Sequence, residues 1–303
     1  MKLSSILHAA ALSLAAHPSF AADGNFDRTL TVSGAPNLTV NSGSGYIHVY
    51  SASGDQIHII GRVHVRPGFF SKDADSILKR ILDSPPITQS GDMVKVAIPS
   101  SDAGLFQNVS IDYEITAPAS TILSAHTGSG SQEIGGILGP VRAGSGSGSI
   151  HADNLGADTQ LETGSGGIRA TNLHGRASLQ TGSGSIELSL SAPGDATVRT
   201  GSGSIHIEGV TGAVQANAGS GSIFVSGNPT SEWRVQSGSG SIHLQIPQDA
   251  RFTLNASTGS GSIHSAHPVT MTGNMSKHHV VGPVNGGGPT LRASTGSGSI
   301  TVE

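Results

Sequence analysis

The sequence predicts an all-β fold: a parallel β-solenoid, a single-stranded β-helix of about 18–19 residues per coil, with a short helix near an N-terminal cap. Three observations lead there. The phrase Gly-Ser-Gly-Ser-Ile recurs in phase, apolar residues alternate on both sides of it, and the composition suits a thin wall. The first glycines of the phrase fall at Gly128, Gly146, Gly164, Gly182, Gly201, Gly219, Gly238 and Gly259, in steps of 18, 18, 18, 19, 18, 19 and 21. The next, Gly296, lies 37 residues on, which reads as two periods with one degenerate coil. An early copy stands at Gly43-Ser44-Gly45-Tyr46-Ile47. A fixed period this short means stacked coils.

Each coil holds two short strands. After the turn come the pairs Ile186/Leu188, Ile205/Ile207, Ile223/Val225 and Ile242/Leu244. Alternate residues on a strand share a face, so each pair points inward. Before the turn, Leu161/Thr163, Leu179/Thr181, Val198/Thr200 and Val235/Ser237 alternate with outward Glu162, Gln180, Arg199 and Gln236. A slip of one residue would exchange the faces, so the pattern sets the register. The repeat positions expected to carry the fold are Gly182, Ile186, Gly201, Ile205, Gly219, Ile223, Gly238 and Ile242. A left-handed hexapeptide helix would need an apolar residue every six positions. His174 and Ala192 break that rule, so a right-handed coil is expected.

Composition agrees. Glycine is 43 of 303 residues, aromatics are 4%, charged residues 12%, and net charge is −4. Few aromatics argue against a thick core. The absence of a basic excess argues against nucleic acid. There is no cysteine, so no disulfide framework and no lipid-modified cysteine. Met1-Lys2, the apolar run Ile6–Ala16 and the small residues near Ala21 read as a signal peptide over 1–21. No membrane span is expected in the mature chain, which is then exported to the periplasm or beyond.

Residues 22–125 are less regular and read as strands and a cap. The spacing of Ala74, Ile77, Leu78, Ile81 and Leu82 predicts a helix over 71–83, with Ser71 as N-cap and Pro85-Pro86 as its stop. Val109, Ile111, Tyr113 and Ile115 predict a strand leading into the solenoid, residues 126–303. Between Ser265 and Pro289 the phrase is lost, and 265–289 reads as a loop excursion. Its residues His278, His279 and Asn285 are candidates for contact with a partner, since loops on a rigid scaffold favour binding. The chain closes on Ser299-Ile300-Thr301-Val302-Glu303, which predicts an open edge able to stack end to end on a second rod.

The Gly-Ser-Gly-Ser-Ile coils, the strand Val109–Pro118 and the segment Asn285-Gly286-Gly287-Gly288-Pro289 before a last coil resemble the bacterial putative-adhesin family. The resemblance covers residues 25–303. It implies a β-solenoid outside the cytoplasm and supplies no catalytic residues. Some members of that family are attached to a membrane segment or a signalling partner.

Histidine follows the repeat isoleucine at His48, His151, His206, His243 and His264, while Arg169, Glu187, Phe224 and Thr301 take the same place elsewhere. This column points outward. Such varied occupants suit an exposed face more than a metal site. His243 and His264, expected as neighbours, are the candidates to share a Zn²⁺. Arg169 and Glu187 are expected to pair across strands. Asp153, Asp158, Asp195 and Asp249 read as scattered over separate columns, unlike the clustered carboxylates of a glycan-cleaving β-helix. The turns carry serine where calcium-binding repeats carry aspartate, and lack the lysine and helix of a phosphate loop. The paired serines Ser183/Ser185 and their equivalents are expected to form hydroxyl ladders. The reading is therefore a non-catalytic envelope scaffold or adhesin-like interaction protein, without cofactor, whose partner is a surface protein or glycan. The rival readings are a polysaccharide-active enzyme and a self-stacking structural protein.

Overall fold

The computed structural model describes residues 22–66, 74–98, 104, 106, 108–270 and 276–303. The expected signal peptide and the expected N-cap Ser71 lie outside the described residues. Two parallel-rich sheets of thirteen strands each form the two walls of a solenoid.

The N-terminal part comprises β1 (Ala22–Thr31), β2 (Asn37–Ser42), β3 (Ile47–Ala52), β4 (Gln56–Val65), α1 (Ala74–Asp83), β5 (Ile87–Ser90), β6 (Met93–Ala97) and β7 (Val109–Pro118). Six coils of two strands follow: β8 (Ile122–Thr127) and β9 (Gln132–Gly135), β10 (Val141–Ser145) and β11 (Ile150–Leu155), β12 (Thr159–Thr163) and β13 (Ile168–Leu173), β14 (Ala177–Ser183) and β15 (Ile186–Leu190), β16 (Ala196–Ser202) and β17 (Ile205–Val210), β18 (Val214–Ser220) and β19 (Ile223–Gly227). The C-terminal part holds β20 (Trp233–Ser239), β21 (Ile242–Gln245), β22 (Phe252–Ser260), β23 (Ile263–Ser265), β24 (His279–Val284), β25 (Thr290–Ser297) and β26 (Ile300–Val302).

The repeat isoleucines stack as the alternation requires. Ile150, Ile168, Ile186, Ile205, Ile223, Ile242 and Ile300 form one in-register column inside the wall, and all are buried. Burying one such side chain is worth roughly 1.5–3 kcal/mol. Gln132 occupies the isoleucine place in its coil and is also buried. Its Nε2 donates to the Gly144 carbonyl, and its Oε1 has no partner.

The turns explain the glycines. A Cβ on Gly201 would lie 2.5 Å from the carbonyl oxygen of Gly182, closer than carbon and oxygen can approach. Gly203 has φ +139 and faces the Gly184 carbonyl in the same way. The isoleucine column, the glycine turns and the outward polar residues thus share one register.

The hydroxyl ladder is not where the sequence places it. The paired serines are exposed, and the bonds between their hydroxyls and neighbouring coils are long, as in Ser204 N to Ser185 Oγ at 3.3 Å. The ordered ladder is the residue before the first glycine. Ser145, Thr163, Thr181, Thr200 and Ser237 each donate to a glycine carbonyl of the preceding coil at 2.8–2.9 Å. The same oxygens in Ser145 and Thr163 accept the N–H of Gly148 and Gly166. Facing inward leaves these hydroxyls no water, so the adjacent carbonyl is their partner. Ala218 stands in this column between Thr200 and Ser237 and carries no hydroxyl.

Both ends depart from a simple succession of coils. The early copy, β2–β3, stacks directly on β8–β9, while β4 to β7 intervene in sequence and then cover its far side. β1, β4 and β7 extend one wall as antiparallel neighbours, and α1 packs on β1 and β4 through buried Ile81 and partly buried Ile77, Leu78 and Leu82. At the other end, among the described residues, no degenerate coil lies between Gly259 and Gly296. The described residues 266–270 and 276–289 lie outside the succession of coils, and β24 pairs antiparallel with β22. The chain then returns, and β25–β26 enter between β20–β21 and β22–β23. Gly296 therefore stacks between Gly238 and Gly259. This corrects the expected open edge at the C-terminus: β26 has a neighbour on each side, so end-to-end stacking through Ile300–Val302 has no free edge to use. Ten glycine turns, from Gly43 to Gly259 in spatial order, span nine strand spacings, about 43 Å.

The substitution Ala218→Thr supplies the missing hydroxyl opposite the Gly203 carbonyl. It is expected to raise the free energy of unfolding by about 1 kcal/mol in urea titration. An unchanged or lower value would show that the ladder does not add stability.

Candidate functional site

The position after each repeat isoleucine faces outward because the isoleucine faces in. In register, this column runs Glu114, His48, Glu133, His151, Arg169, Glu187, His206, Phe224, His243, Thr301, His264. Strand spacing puts successive members about 4.8 Å apart. The order corrects one expectation. Thr301 lies between His243 and His264, so the two histidines are two strands apart, about 9.6 Å along the wall. Two imidazoles on one Zn²⁺ need nitrogens within roughly 4 Å of each other. Among the described residues, no group of three or more His, Asp or Glu side chains is placed to hold a metal.

The first half of the column is a linked polar network. Arg62 pairs with Glu114 at 2.8 Å and donates to the Tyr46 hydroxyl at 2.5 Å. The Tyr46 ring stacks on His48 with centroids 4.3 Å apart. His48 Nε2 lies 3.7 Å from Glu133, and Arg169 pairs with Glu187 at 2.8 Å, as the sequence register predicts. This stretch borders a groove of about 510 Å³ running from His48 to His206. Its floor is the serine column Ser131, Ser149, Ser185 and Ser204, notched where Gly167 replaces serine.

The tyrosines report on this end. Partial burial, followed by the Glu133 carboxylate that accepts its hydrogen bond, pushes the Tyr50 phenol up to about 12. Burial, with nearby Glu114, raises Tyr46. Burial alone raises Tyr113 in the core. Tyr46 and Tyr50 went unremarked as site residues in the sequence. The signal was present in Gly-Ser-Gly-Tyr-Ile, the one phrase whose second serine is an aromatic.

The second half of the column is a stack of rings. His206 and Phe224 lie 4.5 Å apart at 9°, and Phe224 and His243 lie 5.4 Å apart at 11°. Both faces of Phe224 are therefore occupied by imidazoles. Glu208 holds His206 at 2.8 Å, and Glu303 lies 3.6 Å from His243. A sugar ring stacks on an aromatic face, and here none is offered.

The carboxylates are less scattered than the sequence reading has them. Asp158, Asp195 and Glu232 share one column on the opposite wall, with Arg176 and Ala213 between them. Asp158 and Asp195 are engaged between coils, and Glu232 within its own coil and toward Arg292 of the next. Asp158 accepts the Arg176 N–H at 3.2 Å, Asp195 accepts the Ala213 N–H at 2.9 Å, and Glu232 pairs with Arg234 at 3.1 Å. Asp158 and Asp195 thus cap neighbouring coils. In the excursion, His278 and His279 are exposed, whereas Asn285 has φ 49 and donates to the Gln248 and Ala250 carbonyls at 2.9 Å. Asn285 is thus a structural corner.

A family model described as Toastrack DUF4097 matches residues 88–303. No curated protein matches the chain. Among solved structures, the chain is similar to a putative adhesin from Bacteroides fragilis at 13% identity, covering 92% of this chain and 97% of that one, with TM-score 0.44. It is also similar to a putative adhesin from Parabacteroides distasonis at 11% identity, covering 92% and 97%, with TM-score 0.36. A putative cell adhesion protein from Clostridium sporogenes is similar at 11% identity, covering 93% and 99%, with TM-score 0.26.

All three tyrosines of the chain are raised, so the native protein is expected to show little tyrosinate absorbance at pH 10, where free tyrosine is half ionised. For buried Tyr113 the neutral form is favoured by folding. Its contribution to stability is complete below about pH 10 and is lost as pH rises above it. An absorbance titration with half the signal at pH 10 while the fold is intact would contradict this assignment.

Proposed function

The chain belongs to the Toastrack DUF4097 family, and from that premise we propose that it is an exported, non-catalytic display rod of the cell envelope, adhesin-like in action. The observation that carries the reading is the outward column. Side chains of eleven strands stand in one line on a rigid wall, and their order is set by coil stacking. Such a line gives a partner a fixed pattern of charge at strand spacing, and electrostatic complementarity of this kind governs specificity.

The groove favours a protein partner. It presents Glu133, His151, Arg169 and Glu187 in sequence, acid-base-base-acid, bordered by hydroxyls. Within the column, both faces of Phe224, which glycan binding would use, are consumed by stacking in His206–Phe224–His243. A polysaccharide-active enzyme is disfavoured because Asp158 and Asp195 are committed to backbone N–H groups. Export rests on the signal-peptide pattern at 1–21, with Ala22 as the expected first residue of the mature chain. No helix among the described residues is long and apolar enough to cross a membrane.

The test uses the mature chain as bait on native envelope extract, beside Arg169→Glu and a control, Gln215→Glu, on the other wall. The reading expects an extracytoplasmic protein held by the parent and the control and weakened at least about tenfold by Arg169→Glu, the size of effect a misplaced interface charge produces. Equal retention by all three would overturn the groove as the site. Glycan turnover lost on substituting one carboxylate would overturn the non-catalytic reading.

A further inference from the structure

The last coil in sequence is not the last coil in space. β25 lies between β20 and β22 on one wall, and β26 lies between β21 and β23 on the other. Without residues 290–303, the edges of β20 and β22 would face each other across two strand spacings, about 9.6 Å, too far to pair. In sequence order the coil 233–245 is followed by 252–265 and β24, and the segment that lies between the two coils comes after both.

The filling is specific. Leu291 seats beside Trp233, and Ile300 between Ile242 and Ile263. Thr295 donates to the Gly240 carbonyl at 2.8 Å, and Thr258 donates to Gly298 at 2.7 Å. Arg292 Nε lies 3.5 Å from Glu232, and the Ile246 N–H donates to Glu303 O at 2.6 Å. The tether to the rest of the chain is short and glycine-rich, with Gly286 and Gly287 at φ +87 and +81.

We propose that this slot is an exchange site, filled in trans by the C-terminal strand-turn-strand of a second copy of this chain. The occupant must thread Gly296 and Gly298 past the carbonyls of Gly238 and Gly240, and must present apolar residues at 291, 293, 300 and 302. Other repeats of the chain supply the glycines, and the 290–303 segment adds Arg292 opposite Glu232 and the Glu303 carbonyl opposite the Ile246 N–H. Two copies that exchange reciprocally form a closed pair joined by two complete slots. The tether keeps each segment at a high local concentration in its own slot, so exchange is driven by concentrated protein and by transient release of the last coil. This is distinct from edge stacking and independent of the groove and its partner.

The chain contains no cysteine, which makes the test direct. Gln236 and Ser294 are register partners across the slot, at a strand spacing within the Cα range of a disulfide. Purified Gln236→Cys and Ser294→Cys chains are mixed at high concentration in sub-denaturing urea, diluted and oxidised. The proposal expects a disulfide-linked heterodimer in at least about tenfold greater yield than from Glu162→Cys with Ser294→Cys, because only register partners meet at a fixed distance. Glu162 lies in the same column, four strands from Gln236. Equal yields would overturn the proposal. A second pair, Thr253→Cys with Thr290→Cys, probes the opposite side of the slot and guards against failure of one variant to fold. In a companion measurement, the double variant Gln236→Cys/Ser294→Cys is first oxidised within one chain. It must then form no mixed pairs with tagged parent chain, and continued pairing would assign the association to another surface.

Discussion

The structure depends on one steric constraint: in each turn, the carbonyl of one glycine occupies the space where the next coil's Cβ would sit. Gly146, Gly164, Gly182, Gly201, Gly219 and Gly238 each stand in this relation to the glycine before. Coils can stack this closely only in one phase. That phase carries the isoleucines onto one another, brings the Thr200-type hydroxyls to a carbonyl, and lines up the outward column. Core, hydroxyl ladder and surface pattern are consequences of the same close approach. Stability in such a stack is a sum of coil-to-coil terms, so each register contact acts locally and is repeated many times.

The surface follows from the same phase. Charged side chains on successive coils meet because their isoleucines meet, which is why Arg169 finds Glu187 and His206 finds Phe224. Where a coil carries an unusual residue, the wall changes shape locally. Gly167 notches the groove floor, and Gln132 brings an amide into the apolar column beneath. The two ends obey a further rule. At each, the chain leaves the stack to build antiparallel strands and then returns, so β6 and β7 cover the first coil and β24 covers β22, while β23 is the last strand of its sheet. Covered edges of this kind limit unwanted strand pairing.

The coils were legible in the sequence because glycine, isoleucine and the alternation each recur with the period of the fold. The helix was legible from Ile77, Leu78, Ile81 and Leu82, although the expected N-cap Ser71 lies outside the described residues. Spatial order at the ends was not legible. A coil carries the same phrase whichever slot it fills, so Gly296 gives no sign that its neighbours are Gly238 and Gly259. His243 and His264 were misplaced as neighbours for that reason alone. The threonine ladder was hidden for another reason. Thr163 and Thr181 already fit the inward alternation, and nothing in the alternation says that an inward hydroxyl has found a carbonyl. The carboxylates Asp158 and Asp195 sit at corners, where steps of 18 and 19 residues blur the column count.

The most direct test of the steric account is the unfolding free energy of Gly201→Ala beside that of Ser202→Ala. Gly201 has no positive φ, so its alanine variant adds only a methyl group against the Gly182 carbonyl. Ser202 is exposed on the same turn. The account predicts a loss of about 3 kcal/mol or more for Gly201→Ala, as overpacking against rigid backbone produces, and a change within about 0.5 kcal/mol for Ser202→Ala. Equal, small effects at both positions would contradict it.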